Sequence, residues 1–504
     1  MSTNVIAKKK KRTVALGDLI PGARDATADA WPGVEVSGVA IDSRKVKPGD
    51  VFIAVSGRAT DGHRYIGDAA DAGAKAAVVE HITGEQLLQV KVNNTRRAIA
   101  EISHRFFGYP ARRMKIFGVT GTNGKTTVVA AVAAIARAAG QKLGVMGTVG
   151  HRLGDWEIPA RHTTPEAIDC DHLFCRMLEA GITECLMEVS SHALKLERVH
   201  GLSFTGAVFT NLTRDHLDFH PDLDDYRETK LRLFSENLQP NGFAIINTDD
   251  PAGTSFAGAL PEAMVWRYSL SDKSADIRVK MLDESLAGSV AAVFTPVGLL
   301  NIETPLWGSF NLANLAAAIG VAIALGYPPE AIAAGVAEFS GVRGRVQPLR
   351  GSFDFHVFVD YAHTPDALHQ VLRAARPLVS GRLRVLFGCG GDRDRGKRPL
   401  MARAVEESAD LVYLTSDNPR SEDPVKIIAD VLEGFSAPDA VVVEPDRAKA
   451  IERIILDCES KDSAFLCGKG HETVQIIGEH AVEFDDRLVA ERCLQRRGFT
   501  VDSA

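Results

Sequence analysis

Short apolar runs bounded by Gly, Pro and Asp alternate along the chain with longer Ala-, Val- and Leu-rich stretches, the spacing of strands and helices in an α/β protein. Residues 39–55 (VAIDSRKVKPGDVFIAV) read as strand, turn at Pro48-Gly49, strand. Residues 65–80 (YIGDAADAGAKAAVVE) follow as helix and strand. Gly108 and Pro110 interrupt the next helix, and an apolar strand, KIFGVTG, feeds a Gly-rich loop and a helix from Lys125. Further strands are expected at ECLMEVSS, GAVFTNL and GFAIINTDD, an alternation that predicts a largely parallel sheet. The stretch closes with the helix NLANLAAAIGVAIALG. From GVRGRVQPL at residue 341 onward, strands end in loops rich in Gly, Asp, Arg and His: FHVFVDYAHTP, LRVLFGCGGDRDRGKR, LVYLTSDNPR and AFLCGKGHE. Ligands of open α/β sheets bind beyond the carboxyl ends of strands, so these loops predict one crevice.

The pattern therefore divides at about 110 and 341, into segments 1–110, 111–341 and 342–504, and 504 residues are too many for one core. The net charge of -7 gives no reason to expect a nucleic-acid partner, and the basic run KKKKR at residues 8–12 reads as a solubilising arm. Seven cysteines are scattered without CxxC spacing, as in a reducing compartment rather than a disulfide or zinc framework. No apolar h-region follows the first charges, and the longest apolar run, near 315–325, is too short to span a bilayer. A cytoplasmic protein without a membrane partner is expected. No exposed heptad pattern demands an oligomer, so a monomer is expected too.

Residues 120–127 read TGTNGKTT between a strand and a helix. Glycines let backbone N–H groups turn toward phosphate oxygens, and the helix N-terminus adds its dipole. Gly121, Thr122, Asn123, Gly124, Lys125, Thr126 and Thr127 are accordingly expected at a nucleotide, with Lys125 on its terminal phosphates and the Thr126 hydroxyl available to magnesium. Val119 stands where the GxxxxGK[ST] pattern has its first Gly, with Gly118 one residue earlier. At later strand ends stand Glu188, followed by Ser190, Ser191 and His192, and Asn211, Arg214, Asp215 and His216 in one loop. A carboxylate at Glu188 suits an oxygen-preferring magnesium ion.

TGTNGKTT, EVSSHAL, TNLTRDHLDFH, GSFNLANLAAA, DYAHTPDAL and GCGGDRDRGKR together resemble the motifs of the Mur ligase family, in that family's order and over nearly the whole chain. The resemblance implies an N-terminal UDP-substrate domain, a central ATPase domain and a C-terminal Rossmann-like domain. It implies an ATP-dependent amide ligase of peptidoglycan synthesis, which phosphorylates a peptide carboxylate and lets an amine displace the phosphate. Magnesium is the implied cofactor, with Thr126 and Glu188 assigned to it and His216 implied to hold a second ion, and Asn311, Arg345 and Asp360 are implied contacts of ATP. Lys230, in DDYRETKLRLF, reads alone as an ordinary helical lysine. The family carries there a lysine that carbon dioxide converts to a carbamate, an anionic magnesium ligand.

Residues 417–420 read DNPR, which resembles the signature of family members that add meso-diaminopimelate to UDP-N-acetylmuramoyl-L-alanyl-D-glutamate. Diaminopimelate has a second carboxylate that lysine lacks, and a guanidinium fork binds a carboxylate through two parallel hydrogen bonds. Arg420 and Arg393 are the arginines nominated, with Asp417, Asn418 and Pro419 forming the turn, Glu472 for the distal ammonium, and Gly468 allowing close backbone approach. Asn-Pro is also turn chemistry in its own right. Ser43 and GRATDG at 57–62 resemble uridine-binding parts, and Thr163, Thr164, Ser190 and Arg198 contacts to the muramoyl peptide. Some relatives have Gln two residues before this arginine, where Leu196 stands here. The alternatives are a lysine-adding member, folylpolyglutamate synthase, a P-loop switch without ligase activity, and an inactive UDP-sugar-binding module.

Overall fold

The computed structural model describes residues 12–502 apart from Arg24, Arg58, Ala59 and Asp155, so most of the basic arm and part of the GRATDG loop lie outside the described residues. The chain is organised in two compact units, one of residues up to 116 with 144–205, the other of 117–143 with 206 onward.

In the first unit, strands Gly38–Ala40, Asp50–Ile53, Ala76–Val79 and Gln89–Lys91 lie side by side and parallel. Successive residues of a strand point to opposite faces, and here both faces are buried. Val51, Ile53, Ala76, Val78 and Val90 meet helix Thr95–Phe107 through Ile99, Ile102 and Phe106. Phe52, Ala77 and Val79 meet helix Ile66–Asp71 through Ile66 and Ala69. Helix Thr95–Phe107 also packs on helix Ala167–Glu179, where Asp171 accepts from His104 Nδ1 at 2.8 Å and from Ser103 Oγ at 2.6 Å. The other ring nitrogen of His104 lies 2.9 Å from the His200 carbonyl, so both nitrogens donate and the ring is an imidazolium. Burial works against that charge, but Asp171 holds the pKa above its ordinary value.

In the second unit, residues 117–120 run parallel to 206–209, and the sheet continues through Leu238–Asn247, Val265–Ser269 and Ile277–Ser285. The expected parallel sheet then turns into an antiparallel meander, Ile277–Ser285, Gly288–Thr295 and Gly298–Thr304. Two-residue connections at 286–287 and 296–297 are too short for a crossover, which fixes the antiparallel sense. The helix Lys125–Ala138 is apolar all round because it is enclosed, packed on helices Ser309–Leu325 and Pro329–Glu338.

The C-terminal sheet has the order Gln347–Leu349, His356–Asp360, Ser463–Cys467, Leu383–Phe387, Leu411–Leu414, Val442–Val443, parallel except for its first strand. Phe358, Val385, Phe387 and Phe465 face helices Pro365–Ala375, Lys397–Glu406 and Pro424–Leu432. Val357, Val359, Leu386 and Leu466 face helices Arg447–Asp457 and Asp486–Arg496. This is the doubly wound arrangement, with its loops gathered at the carboxyl edge. On the second face Asp486 grips fully buried Arg447 with bonds of 2.7 and 2.6 Å, and Arg447 also donates to the Cys467 carbonyl at 2.9 Å. Asp486→Ala leaves that guanidinium uncompensated and is expected to cost about 3–5 kcal/mol. Denaturant unfolding of the variant measures it, and a loss under about 1 kcal/mol, that of an exposed pair, overturns the assignment.

Candidate functional site

The phosphate loop sits where strand Lys115–Thr120 gives way to helix Lys125–Ala138. Gly124, at φ 88°, takes the left-handed conformation at the N-cap and brings no side chain to cover the helix end. A Cβ there would collide with the Asn314 side chain. The loop is held from the neighbouring strand end: Asn211 accepts from Thr122 N and, through Oδ1, from Asn123 N, both at 2.8 Å. Thr210 Oγ1 donates to the Asn123 carbonyl at 2.6 Å, and Asn123 Nδ2 reaches Asp366 at 3.3 Å.

A cavity of about 400 Å³ opens beside this loop. Its walls include Asn123, Gly124, Thr126, Thr127, Asn311, Arg345 and Asp360, so seven of the residues nominated for ATP line one cavity, while Gly121, Thr122 and Lys125 are not in its wall. Arg345 stacks its guanidinium 4.5 Å from the centre of the Tyr361 ring. It is placed there by Gly344, whose backbone runs against Gly470 and His471 so closely that a Cβ would overlap them. The Asp360 carboxylate accepts from Val346 N at 2.6 Å and Ala362 N at 2.8 Å, while burial raises its pKa. Asn311 Nδ2 donates to the Trp307 carbonyl at 2.9 Å.

Lys125 Nζ donates to the carbonyls of Gly121 and Thr122, each at 2.8 Å. Lys230 Nζ donates to the same Gly121 carbonyl at 2.9 Å and lies over the Tyr226 ring. Lys230 is 1% exposed, and burial first, then the charge of Lys125, hold its pKa well below the ordinary lysine value. A neutral amine is the form that attacks carbon dioxide, so the environment suits a carbamate. Asp215 is buried as well, which raises its pKa, but His216, His363 and Lys397 around it bring the net below the usual carboxylate range. His216 has φ 55°, an unusual conformation for a residue with a side chain, and its N–H donates to Asp215 at 2.8 Å. Lys397 Nζ bonds the His363 carbonyl at 3.0 Å.

At the carboxyl edge of the C-terminal sheet the DNPR turn is knitted to the segment after Gly468. Arg420 N donates to the Ile476 carbonyl at 3.1 Å, and Gly478 N to the Arg420 carbonyl at 2.7 Å. Arg420 itself has φ 51° and sends its guanidinium to the Gly391 carbonyl at 2.8 Å. Burial and then the like charge of Arg393 draw the pKa of Arg420 down, against Asp417 and Glu472. The like charges of Arg420 and Arg393 favour an anion beside them. Gly468 passes close to the Asp417 carboxylate at φ 114°, and Pro419 is buried within the turn.

The first unit holds a separate cavity of about 1070 Å³, lined by Ser43, Arg44, Gly57, Thr60, Arg96, Arg161, His162 and Glu166 among others. Thr164 Oγ1 donates to the Glu188 carbonyl at 2.9 Å and accepts from Ser190 N at 3.0 Å. Arg198 donates to the Thr164 carbonyl at 3.0 Å and pairs at 2.9 Å with Glu166 of the cavity wall. Thr148 links Thr163, at 3.1 Å, to the buried Glu188 carboxylate, at 2.8 and 3.0 Å. Leu196 caps the helix Ser191–Lys195 through its backbone.

Sequence reading missed His363, Lys397, Tyr361, Asp366 and Lys469. All but Asp366, in the first turn of the helix Pro365–Ala375, lie inside polar strand-end stretches that the sequence pattern had marked, so the signal was the stretch rather than the residue type.

Family models match in succession: "Mur ligase family, catalytic domain" at 35–107, "Mur ligase middle domain" at 119–322, and "Mur ligase, glutamate ligase domain" at 344–470. The chain belongs to the Mur ligase family, with its three-domain architecture and its ATP-dependent amide-ligase chemistry. Within that family it resembles the members named UDP-N-acetylmuramoyl-L-alanyl-D-glutamate--2,6-diaminopimelate ligase. The one from Gloeobacter violaceus is 44% identical over 470 residues, 92% of this chain and 95% of the relative. The one from Geobacillus thermodenitrificans is 42% identical over 470 residues, 92% and 96%. A solved structure of a ligase of that name superposes with TM-score 0.68 at 34% identity, covering 97% of this chain and all of that one.

The buried amine has a measurable consequence. In the native state Lys230 is neutral over a pH range where the unfolded chain carries it protonated, so unfolding takes up a proton. In buffer freed of carbon dioxide, the stability of the protein relative to Lys230→Met is expected to rise with pH, from the lowered native value up to about 10.4, the ordinary lysine pKa. Chemical unfolding at a series of pH values measures it. A difference independent of pH overturns the neutral assignment.

Proposed function

We propose that the chain joins meso-2,6-diaminopimelate to UDP-N-acetylmuramoyl-L-alanyl-D-glutamate in peptidoglycan biosynthesis, with ATP as co-substrate. The observation that carries this reading is the DNPR turn, in which half-buried Arg420 stands two residues from Asn418, whose amide holds the Glu472 carboxylate at 2.8 Å. One end of diaminopimelate carries a carboxylate and an ammonium together, and that pair of charges matches the site. L-Lysine has no such carboxylate and would leave Arg420 half-buried without its anion. Proposed bounds are 1–110 for the UDP-substrate domain, 111–341 for the central ATPase domain and 342–504 for the C-terminal domain. Ser43, Thr163, Thr164, Ser190 and Arg198 are assigned to the UDP-linked dipeptide.

A peptide carboxylate is a poor electrophile, because an amine cannot expel oxide from it. Transfer of the terminal phosphoryl group of ATP gives an acyl phosphate and ADP. The amine of diaminopimelate then attacks the acyl carbon, and the tetrahedral adduct expels phosphate as it loses a proton. Lys125 and the N-terminus of its helix hold the phosphates, Arg345 and Asn311 the nucleotide, and Asp360 its ribose. The cavity beside the loop, with Gly124 at the helix end and Asn311, Arg345 and Asp360 in its wall, supports that assignment.

Magnesium is assigned to Thr126, Glu188, His216 and Lys230 as its carbamate. An amine at Lys230 offers no oxygen to a hard cation, so this assignment requires the carbamate. When bound, the ion would neutralise phosphate oxygens as charge develops there. Lys230 held in place as an anion is also the form that relieves its crowding against Lys125. The protein is assigned to the cytoplasm as a monomer without nucleic-acid or membrane partners, and no helix among the described residues is long and apolar enough to cross a membrane.

Phosphate release with ATP, magnesium and the UDP-linked dipeptide, with diaminopimelate or L-lysine added, tests the reading. Release is expected with diaminopimelate, weakened about ten- to hundredfold by Arg420→Ala, the cost of one lost charge-assisted contact. Equal turnover of lysine favours the lysine-adding alternative, and ATP hydrolysis needing no amino acid favours a nucleotide switch. Intact mass in bicarbonate should show one added carbon dioxide, absent from Lys230→Met together with the activity. Full activity of that variant would remove the carbamate from the mechanism.

A further inference from the structure

Lys469 stands beside the amino-acid crevice without opening onto it: its side chain is 0% exposed. Its ammonium donates to the Val474 carbonyl at 2.7 Å, to Glu472 Oε2 at 2.9 Å and to Asn418 Oδ1 at 3.2 Å. An ammonium has three protons, so none is left for a substrate. The partners are ordered in turn. Asn418 Oδ1 also accepts from Ile476 N at 2.9 Å, which leaves its Nδ2 to donate to Glu472 Oε2 at 2.8 Å. Both bonds to Glu472 fall on Oε2, and the carboxylate is 27% exposed, so Oε1 is left to meet a ligand. Glu472 and Arg420 belong to strands of chain tied together through Ile476 and Gly478.

An unrestrained carboxylate here has an obvious wrong partner. Arg420 is cationic and half-buried, and it stands two residues from Asn418, whose amide already bonds the Glu472 carboxylate at 2.8 Å. A Glu472 side chain swung onto Arg420 would satisfy both and leave the crevice with neither charge displayed.

We propose that Lys469 is a positioning residue for the amino-acid substrate: it holds Glu472 away from Arg420 by a buried ion pair through Oε2, and so keeps an acceptor for the distal ammonium and a donor for the distal carboxylate apart and available. The inference rests on the reading that this crevice binds diaminopimelate. It makes Lys469 a determinant of specificity that never touches the ligand.

The test is a double-mutant cycle of Lys469→Met and Glu472→Gln in the full-length enzyme, reading KM for diaminopimelate, KM for ATP and kcat. Lys469→Met is expected to raise KM for diaminopimelate about tenfold or more, the size of a lost charged hydrogen bond, with KM for ATP unchanged. Added to Glu472→Gln it should cost little further, because the carboxylate through which it acts is already neutral. Effects that multiply, or a KM for ATP that rises in parallel, overturn the proposal and make Lys469 a general support of the domain. If Lys469→Met does not fold, Lys469→Arg gives the same reading. A raised KM for diaminopimelate alone supports the proposal, and both constants unchanged or both raised overturn it. Wild-type enzyme that turns over lysine but not diaminopimelate sinks the underlying reading and the inference with it. Wild-type turnover of diaminopimelate with an unaffected Lys469→Met sinks the inference alone.

Discussion

A single backbone carbonyl carries two lysines: Gly121 O accepts from both Lys125 and Lys230. Two full ammonium charges cannot share that oxygen in a buried place without strong repulsion. Burial decides which one yields. Lys230 is almost completely enclosed, and its pKa is drawn well below the ordinary lysine value, by burial first and then by the charge of Lys125. The rest of the loop follows from holding that carbonyl still. Thr122 and Asn123 are fixed by Asn211, and Gly124 turns so that the helix end meets the cavity. Chemistry at the site thus begins with an unfavourable arrangement that surrounding packing is strong enough to enforce.

The same design recurs at the other end of the second unit. Arg420 and Arg393 repel one another, and the DNPR turn keeps Arg420 at a positive φ that most residues avoid. Elsewhere in that domain the buried arginines each have a carboxylate: Arg447 has Asp486, Arg384 has Asp462, and Arg398 has Glu422 and Asp430. A structural arginine is given its carboxylate by the fold, whereas Arg420, in the proposed function, takes one from the ligand. That contrast separates the two kinds of charge more sharply than exposure does.

Much of this was legible in the chain. The strand-loop-helix rhythm marked the Gly-rich loop between strand Lys115–Thr120 and helix Lys125–Ala138, and turn chemistry marked the polar loops after the C-terminal strands, because period and turn chemistry are local properties. The antiparallel meander of 277–304 was not legible, since strands of either sense share one apolar pattern, and only the short connections decide between them. Lys230 was invisible on its own terms: its helix, Leu223–Ser235, reads as amphipathic, and what buries this lysine is the loop at Gly121, more than a hundred residues earlier. Lys397, His363 and Lys469 were hidden for the same reason, as their partners come from other loops.

Those hidden residues have a common character. Lys397 bonds the His363 carbonyl, and Lys469 spends its protons on Asn418, Glu472 and Val474. Both are buried cations whose hydrogen bonds go to loops rather than to the cavity, and each fixes one loop against another. A loop that carries a binding group has little packing of its own to stiffen it. Orientation within a fraction of an ångström then has to come from charged groups that bridge neighbouring loops. A buried ion pair adds little net stability, but it is directional, and a substitution that breaks one side leaves an uncompensated charge. The second layer of this site therefore consists of lysines rather than leucines, because what it must supply is geometry.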